Sequence, residues 1–412
     1  MDEASQDMPQ NEEPVNVRSL RELIDIVTGR QFQSELNQED AGLAEQLPFP
    51  FLGLVGQAEM KLALMIAVIN PMVGGVLLLG PRGTGKTTAV RSLVDLLPVV
   101  ERSACYYGCL PEDIETGGLD AVCPDCARKY GEGLPLTRID RAHLVELPLN
   151  ARLEDVIGGW DEHTLASHTP RLRSGILKQA DLNVLYIDEV NLLDGEIINA
   201  ILDAAAQGTY TVRRGPLSST YRARFVLIGS MNPEEGNLRP QIMDRFGLRV
   251  IVRGLTGSDE RIEAYHRSRA YRKSPRATIA QYMPETDQAR EEIQAAHDLL
   301  PEVTIPQELE FAGTQLIQRS GIDSLRAEIS LFEAARGLAA AAGRREVNWE
   351  DIKVVAPMAL RLRRSAFMIK YMQEQSQEEG QLGKTLDEIL KISNSSSQEG
   401  KHGETGQSRE GQ

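Results

Sequence analysis

Eight residues, Gly80 to Thr87, reading GPRGTGKT, constrain this 412-residue chain more than any other stretch. The apolar run Val76-Leu77-Leu78-Leu79 precedes them, and a helical pattern follows from Thr88 to Leu97. A strand feeding a glycine-rich turn that feeds a helix is the setting in which G-x-x-x-x-G-K-[ST] is a phosphate-binding loop. Gly80, Gly83 and Gly85 carry no Cβ, so the loop can aim its backbone N–H groups inward around an anion. The new helix adds the positive end of its dipole. Lys86 is expected to reach the β- and γ-phosphates of a nucleotide, and Thr87 to hold the Mg²⁺ that bridges them. Pro81, Arg82, Thr84 and Thr88 complete the candidate nucleotide contact.

Two later runs fit the same site. Val184-Leu185-Tyr186-Ile187 ends in Asp188-Glu189, a buried strand closed by two acids, which is the Walker B arrangement. Asp188 would hold Mg²⁺ directly or through its water, and Glu189 would polarise the water attacking the γ-phosphate. A third strand, Arg224 to Gly229, delivers Ser230-Met231-Asn232. Asn232 either touches the γ-phosphate or the attacking water, or simply makes an Asn-Pro turn. Upstream, Leu54-Val55-Gly56-Gln57 leads into a helix from Ala58 to Ile69. Val55 and Gln57 either cover an adenine ring or pack as part of a linker. Downstream, a helix from Arg239-Pro240 ends in Asp244-Arg245-Phe246. An arginine there, on the far side of the nucleotide domain, serves a neighbour's site in a ring or forms a structural ion pair. Arg249 and Arg253 compete for the role.

The alternation of strands and helices predicts an α/β fold, a parallel sheet between helices, followed by an all-α module. Residues 1–47 read as an acidic, mostly disordered extension, with a short amphipathic helix over Ser19 to Phe32. Residues 48–273 read as the nucleotide-binding domain, 274–286 as a linker, 287–371 as a helical lid and 372–412 as a disordered tail. Arg152 to Gly175 is irregular and holds His163 and His168, which take no assignment; Thr209 to Phe225 reads as a hairpin. Within the lid, Arg326 follows Ser324 at a helix start, and a bundle lying over the nucleotide would point it at the phosphates. The net charge of −15 sits mostly at the ends: residues 1–50 carry −8 and residues 373–412 carry −4. No part of the core is dense in Lys and Arg, so nucleic acid is not an expected partner. No apolar stretch is long enough to span a bilayer. An acidic, polar N-terminus argues against a secretory or organelle signal, so a cytoplasmic protein is expected.

All four cysteines fall in one insert, residues 101–135, as Cys105-x₃-Cys109 and Cys123-x₂-Cys126. Two close pairs separated by a loop suit a tetrahedral thiolate site in which each pair supplies two corners, with zinc the leading occupant. An iron–sulfur or redox role, or free thiols, are the alternatives; in a cytoplasmic setting disulfides explain them poorly.

The order of these motifs resembles that of the AAA+ ATPases. VGQAEMKLAL, GGVLLLGPRGTGKTT, VRSLVDLLP, LYIDEVNLLD and MNPEEGNLRPQIMDRFGL resemble the ATPase (I) subunit family of the magnesium chelatases, over residues 48 to 365. The resemblance implies ATP and Mg²⁺ at Lys86, Thr87, Asp188 and Glu189, with Asn232 as sensor 1, Arg245 as an arginine finger and Arg326 as sensor 2. It implies a hexameric ring that drives Mg²⁺ into protoporphyrin IX with two partners, a large porphyrin-binding subunit and an AAA+ D subunit ending in an integrin-I-like domain. Two features depart from the family pattern: TPRLRSGIL at 169–177 and the four-cysteine insert. Competing readings are a cobaltochelatase-type ATPase, a MoxR-like chaperone and, least supported, a DNA translocase.

Overall fold

In the computed structural model, which describes residues 47–105, 107–160, 172–215, 217–236 and 238–364, the apolar runs become the centre of one sheet. Helix α1 (Ala58–Ile69) leads to strand β1 (Val76–Leu79), the glycine-rich loop and helix α2 (Lys86–Ser92). The chain runs out along β2 (Val99–Ser103), through α3 (Pro111–Gly117) and α4 (Pro124–Gly131), and back along β3 (Thr137–Arg141), which pairs antiparallel with β2. It re-enters the sheet as β4 (Leu144–Leu147). Helix α5 (Leu153–Ile157), the antiparallel pair β5 (Gly158–Trp160) and β6 (Leu172–Ser174), and α6 (Ile176–Gln179) lead to β7 (Val184–Ile187). Helix α7 (Gly195–Gln207) is followed by a hairpin, β8 (Thr209–Arg214) with β9 (Leu217–Arg222). Then come β10 (Val226–Met231), α8 (Pro240–Arg245) and β11 (Leu248–Ile251). Five helices follow: α9 (Ser258–Lys273), α10 (Pro275–Leu299), α11 (Gln307–Arg319), α12 (Arg326–Ala341) and α13 (Trp349–Leu360).

The sheet order is β11-β1-β10-β7-β4, all parallel, with Val76 beside Ile228 on one side and Leu248 on the other. Strands β1, β7 and β10 are buried along their whole length. Helices cover both faces, which is why these strands read as unbroken apolar runs rather than alternating ones. Side chains still alternate between faces. Val76, Leu78, Tyr186 and Ile228 join a core with α1 and the C-terminal helices, while Leu77, Leu79, Ile187 and Leu227 join one with α7. The loop at Gly80, the acids at 188–189 and Asn232 all leave the C-terminal edge of neighbouring strands, where open α/β sheets place their ligands.

The stretch 274–286, expected as a linker, is the first half of the 25-residue helix α10. Pro275 sits at its first turn, where a missing N–H costs nothing. Pro284 removes one internal hydrogen bond, and the Thr286 hydroxyl donates to the Tyr282 carbonyl in the same turn (2.7 Å). The strand expected at 224–229 runs two residues later, Val226–Met231. The N-terminal extension with its Ser19 to Phe32 helix, His163, His168, and residues 365 to 412 lie outside the described residues. Among the described residues no helix is long and apolar enough to cross a membrane.

Candidate functional site: a glycine-rich cradle and a threonine–aspartate pair

The glycine-rich loop wraps the mouth of a cavity of about 280 Å³, lined by Gly83, Gly85, Lys86, Thr87, Glu189 and Asn232 among others. Two glycines are fixed for different reasons. Gly85 has a φ of +87°, the left-handed turn that starts α2, and a side chain there would be strained although nothing crowds it. At Gly80 a Cβ would stand 2.2 Å from the Val252 carbonyl, so β1 and the end of β11 could not pass. Lys86 folds back into the loop, donating to the carbonyls of Gly80 (2.7 Å) and Pro81 (2.8 Å). Burial lowers its pKa from the ordinary lysine value, and Asp188, Glu235 and Glu189 act against that shift. Thr84 donates to the Pro81 carbonyl, which stiffens the same turn.

Thr87 at the start of α2 and Asp188 at the end of β7 meet at 3.1 Å (Oγ1 to Oδ2). They are 101 residues apart in sequence and supply adjacent oxygens, the donor set a hard divalent cation takes. Beneath them lies a hydroxyl cluster that sequence reasoning did not assign. Tyr186 Oη donates to Asp188 Oδ1 (2.9 Å) and lies 3.2 Å from Ser230 Oγ and 3.3 Å from Thr87 Oγ1. Ser230 Oγ also donates to Asp188 Oδ1 and accepts the Glu189 N–H (3.2 Å). Burial pushes the Tyr186 phenol well above its ordinary range, so it remains a donor. A signal was present: Tyr186 stands two residues before Asp188 on a strand, hence on the same face.

Glu189 has left-handed backbone angles (φ 52°, ψ 51°), an unusual conformation for a non-glycine residue, at the position expected to act as base. Its carboxylate lies 3.7 Å from Arg82. Arg82 pairs more closely with Glu235, which also accepts the Asn232 amide at 2.8 Å. The Asn232 hydrogen bond leads in holding the Glu235 carboxyl below its usual range, and Arg82 adds to it. Asn232 thus reaches the cavity and makes the turn at Pro233–Glu235 as well, its Oδ1 accepting from Glu234 N (3.2 Å). Glu235 is a site residue that the sequence did not single out.

Val55 and Gln57 line an adjoining cleft of about 500 Å³ that shares Gly83, Thr84, Gly85 and Thr88 with the phosphate cavity. Gln57 holds a left-handed conformation and donates to the Arg253 carbonyl (2.6 Å). Leu255, Arg261 and Arg267 close the other wall. Leu255 precedes α9, and nothing in that charged, poorly periodic helix marked Arg261 or Arg267.

Arg245 and Arg326 lie elsewhere. Both line a separate cavity with Gly74, Gly75 and Leu227, at the N-terminal edge of the sheet. Arg245 pairs with Asp203 (2.6 Å), and Arg326 with Asp244 (3.4 Å). The placing of Arg326 over the phosphates of its own chain is therefore corrected: α12 packs on α1 and the turn at Pro71–Val73, behind the sheet, and not over the loop. Asp244 also accepts from Ser324 (2.9 Å) and from Arg363 (2.7 Å), and lies 3.6 Å from Arg249. Arg249 and Arg363 have fully buried side chains. Burial, then the like charge of Arg363, lowers the Arg249 pKa to about 10. Arg249 donates to the Met243 and Arg361 carbonyls, which makes it a structural residue and removes it from the competition with Arg245.

The four cysteines converge, with their Sγ atoms all within 4.8 Å of one another. Tetrahedral thiolate zinc, with Zn–S near 2.3 Å, places sulfurs about 3.8 Å apart. The N–H groups of Cys109 and Cys123 donate to the sulfurs of Cys105 (3.2 Å) and Cys109 (3.3 Å). Burial raises the Cys105 thiol, but hydrogen bonds from Ser103 and the Cys109 N–H outweigh it and bring the pKa to about 6. Burial pushes Cys109 up to about 11.

Among protein families, an AAA domain matches residues 74–233 and an AAA lid domain matches 312–388. The chain is 42% identical over 327 residues to the magnesium-chelatase subunit ChlI homolog of Methanocaldococcus jannaschii, covering 78% of this chain and 87% of that one. It is 41% identical to the magnesium-chelatase 38 kDa subunit of Acidiphilium rubrum (76% and 90% covered). The chain belongs to the magnesium-chelatase ATPase subunit I family. The chloroplastic member from Nicotiana tabacum is 40% identical over 317 residues, 76% of this chain and 74% of that protein. As an AAA ATPase of this family, the chain uses ATP with Mg²⁺.

Proposed function

We propose that this chain is the ATP-hydrolysing motor subunit of a magnesium chelatase, driving Mg²⁺ into protoporphyrin IX on the way to (bacterio)chlorophyll. The observation that carries this is the meeting of Thr87 and Asp188 at the mouth of a cradle containing Lys86, Glu189 and Asn232, in a chain about 40% identical to such subunits. The loop N–H groups and Lys86 bind the phosphates, Lys86 turning from its own loop carbonyls to do so. Thr87 and Asp188 hold the Mg²⁺ of ATP, which neutralises phosphate charge. Glu189 polarises the attacking water, and Asn232 orients it. Val55 and Gln57 wall the adenine. Arg245 and Arg326, on the opposite edge of the sheet, serve the site of the next subunit in a homo-oligomeric, hexameric ring. Residues 48–273 form the nucleotide-binding domain, and the helices from Pro275 to Leu360 belong to the lid. The ring acts in the cytoplasm with an integrin-I-bearing AAA+ D subunit and a large porphyrin-binding subunit. Cys105, Cys109, Cys123 and Cys126 hold Zn²⁺.

Glu189→Gln tests the reading. ATP binding should persist while turnover falls about 10²- to 10⁴-fold. The same variant, trapped with ATP in its native lysate, should retain the large and D subunits, identified by mass spectrometry. A cobalt-specific large subunit would move the substrate to a corrinoid. An unrelated client would replace the chelatase reading with a chaperone.

A further inference from the structure

The insert between β2 and β3 folds against the β8–β9 hairpin. Its own apolar core is small: Cys109, Ile114, Val122, Cys126 and Leu136. Two of those five buried residues are cysteines, so the thiolate cluster is the centre of the lobe rather than an ornament on it. A lobe of this size is too small to order itself by burial alone and needs a covalent or metal staple. The hairpin, marginal in water as two strands alone, buries Tyr210, Val212 and Tyr221 in the core beside α7 on one side and meets the cysteine lobe at Arg222.

The two are joined at named contacts. Asp113, in the first turn of α3, accepts the Leu110 N–H (2.8 Å) through Oδ2 and pairs with Arg222 of β9 through Oδ1. Both side chains are about three-quarters buried, at 26% and 25% exposed, so this pair is better shielded than a surface ion pair. Gly108, between the first two cysteines, neighbours the same arginine: a Cβ there would be in ordinary van der Waals contact with Arg222 Cδ, at 3.9 Å. On the other side, the Lys178 ammonium sits 5.5 Å from the centre of the Tyr221 ring and within electrostatic reach of Cys105. A tetrathiolate site holding a divalent ion carries a net charge of about −2, and Lys178 places a cation beside it. The hairpin in turn connects α7, which follows Glu189, to β10, which carries Ser230 and leads to Asn232.

We infer that Zn²⁺ held by Cys105, Cys109, Cys123 and Cys126 is the core of a strut that clamps the β8–β9 hairpin through the Asp113–Arg222 pair. Loading of the metal, independently of nucleotide, sets how firmly the hairpin is held. The inference rests on the zinc reading above and adds to it a mechanical role.

Metal content and hairpin order are measured separately on the full chain. Elemental analysis should give one zinc per chain, and Co²⁺ exchanged into the site should show the intense visible bands of a tetrahedral thiolate complex. Hydrogen exchange at the 209–222 amides should be at least tenfold faster in chelator-stripped protein. It should be comparably faster in Arg222→Ala and Asp113→Asn, both of which keep their zinc. The charge swap Asp113→Arg with Arg222→Asp should recover part of the protection. Zinc present with hairpin exchange unchanged in Arg222→Ala and Asp113→Asn would overturn the strut and leave the metal site standing. No bound zinc, with no Co²⁺ thiolate bands, would overturn both.

Discussion

Asp188 shows how a single carboxylate is aimed. One oxygen faces Thr87, while the other takes hydrogen bonds from Tyr186 and Ser230. That leaves its orientation fixed before any cation arrives, which is what a preorganised ligand requires. Tyr186→Phe removes one of these donors and adds no bulk. A hydrogen bond to a charged group contributes about 1.5–3 kcal/mol, so the Mg²⁺ concentration for half-maximal ATPase should rise about tenfold or more. Nucleotide binding measured without Mg²⁺ should be unchanged. An unaltered Mg²⁺ requirement would show that Ser230 alone orients the carboxylate. Glu235 is the second residue whose part emerges at this scale, since it links Arg82 of the phosphate loop to Asn232.

At the scale of elements, α8 is a short helix held by what lies around its end. Asp244 is the only carboxylate paired with the buried arginines 249 and 363 among the described residues, and it also takes Ser324 and Arg326 from the lid. Burial would raise its pKa, but the Ser324 hydrogen bond and the charges of Arg363 and Arg249 outweigh that and lower it. A carboxyl lowered on folding adds stability above its ordinary value of 3.8 and loses it as pH falls through the folded value. Asp244→Asn leaves two buried cations without their partner, which should cost about 3 kcal/mol or more. Denaturant unfolding at neutral pH should show that loss, and the gap between the two proteins should close below pH 3.8. The same substitution should loosen the lid helices carrying Arg326 from the helix carrying Arg245.

For the whole molecule, the decisive fact is that the phosphate cradle and the two exposed-edge arginines lie at opposite edges of the sheet. The cradle forms where β1, β7 and β10 end, and Arg245 and Arg326 cluster where β1 and β10 begin. One copy cannot bring them together, whereas head-to-tail copies in a ring can. Arg245→Ala and Lys86→Ala proteins should each have ATPase activity lowered about 10³-fold. Mixed in equal amounts they should regain a measurable fraction of wild-type turnover, because an intact cradle then meets an intact arginine. Arg326→Ala should be rescued by the same partner. Failure of every mixing ratio would place these arginines in a purely structural role.

The strand–turn–helix around Gly80 to Thr87, the strand that ends at Asp188-Glu189 and the strand that leads to Asn232 were legible in the sequence because each depends on local rules: a strand, a turn that needs glycine, a helix start. The cysteine pairs were legible as a group for the same reason of spacing. The sequence alone did not determine which apolar strand neighbours which, and that order brings Thr87 to Asp188 across 101 residues. Nor did it reveal the Asp244 hub, whose partners Ser324, Arg326 and Arg363 come from 80 to 119 residues away, or the Asp113–Arg222 pair across 109. The linker reading of 274–286 missed a helix because proline and polarity signalled a break, whereas the stretch continues into the half of α10 that buries Ile293 and Ala296 in the core. Periodicity and turn chemistry act over a few residues, so they write themselves into the chain. The side on which a lid settles is decided by long-range burial and by buried charges finding partners, and only the folded molecule fixes it.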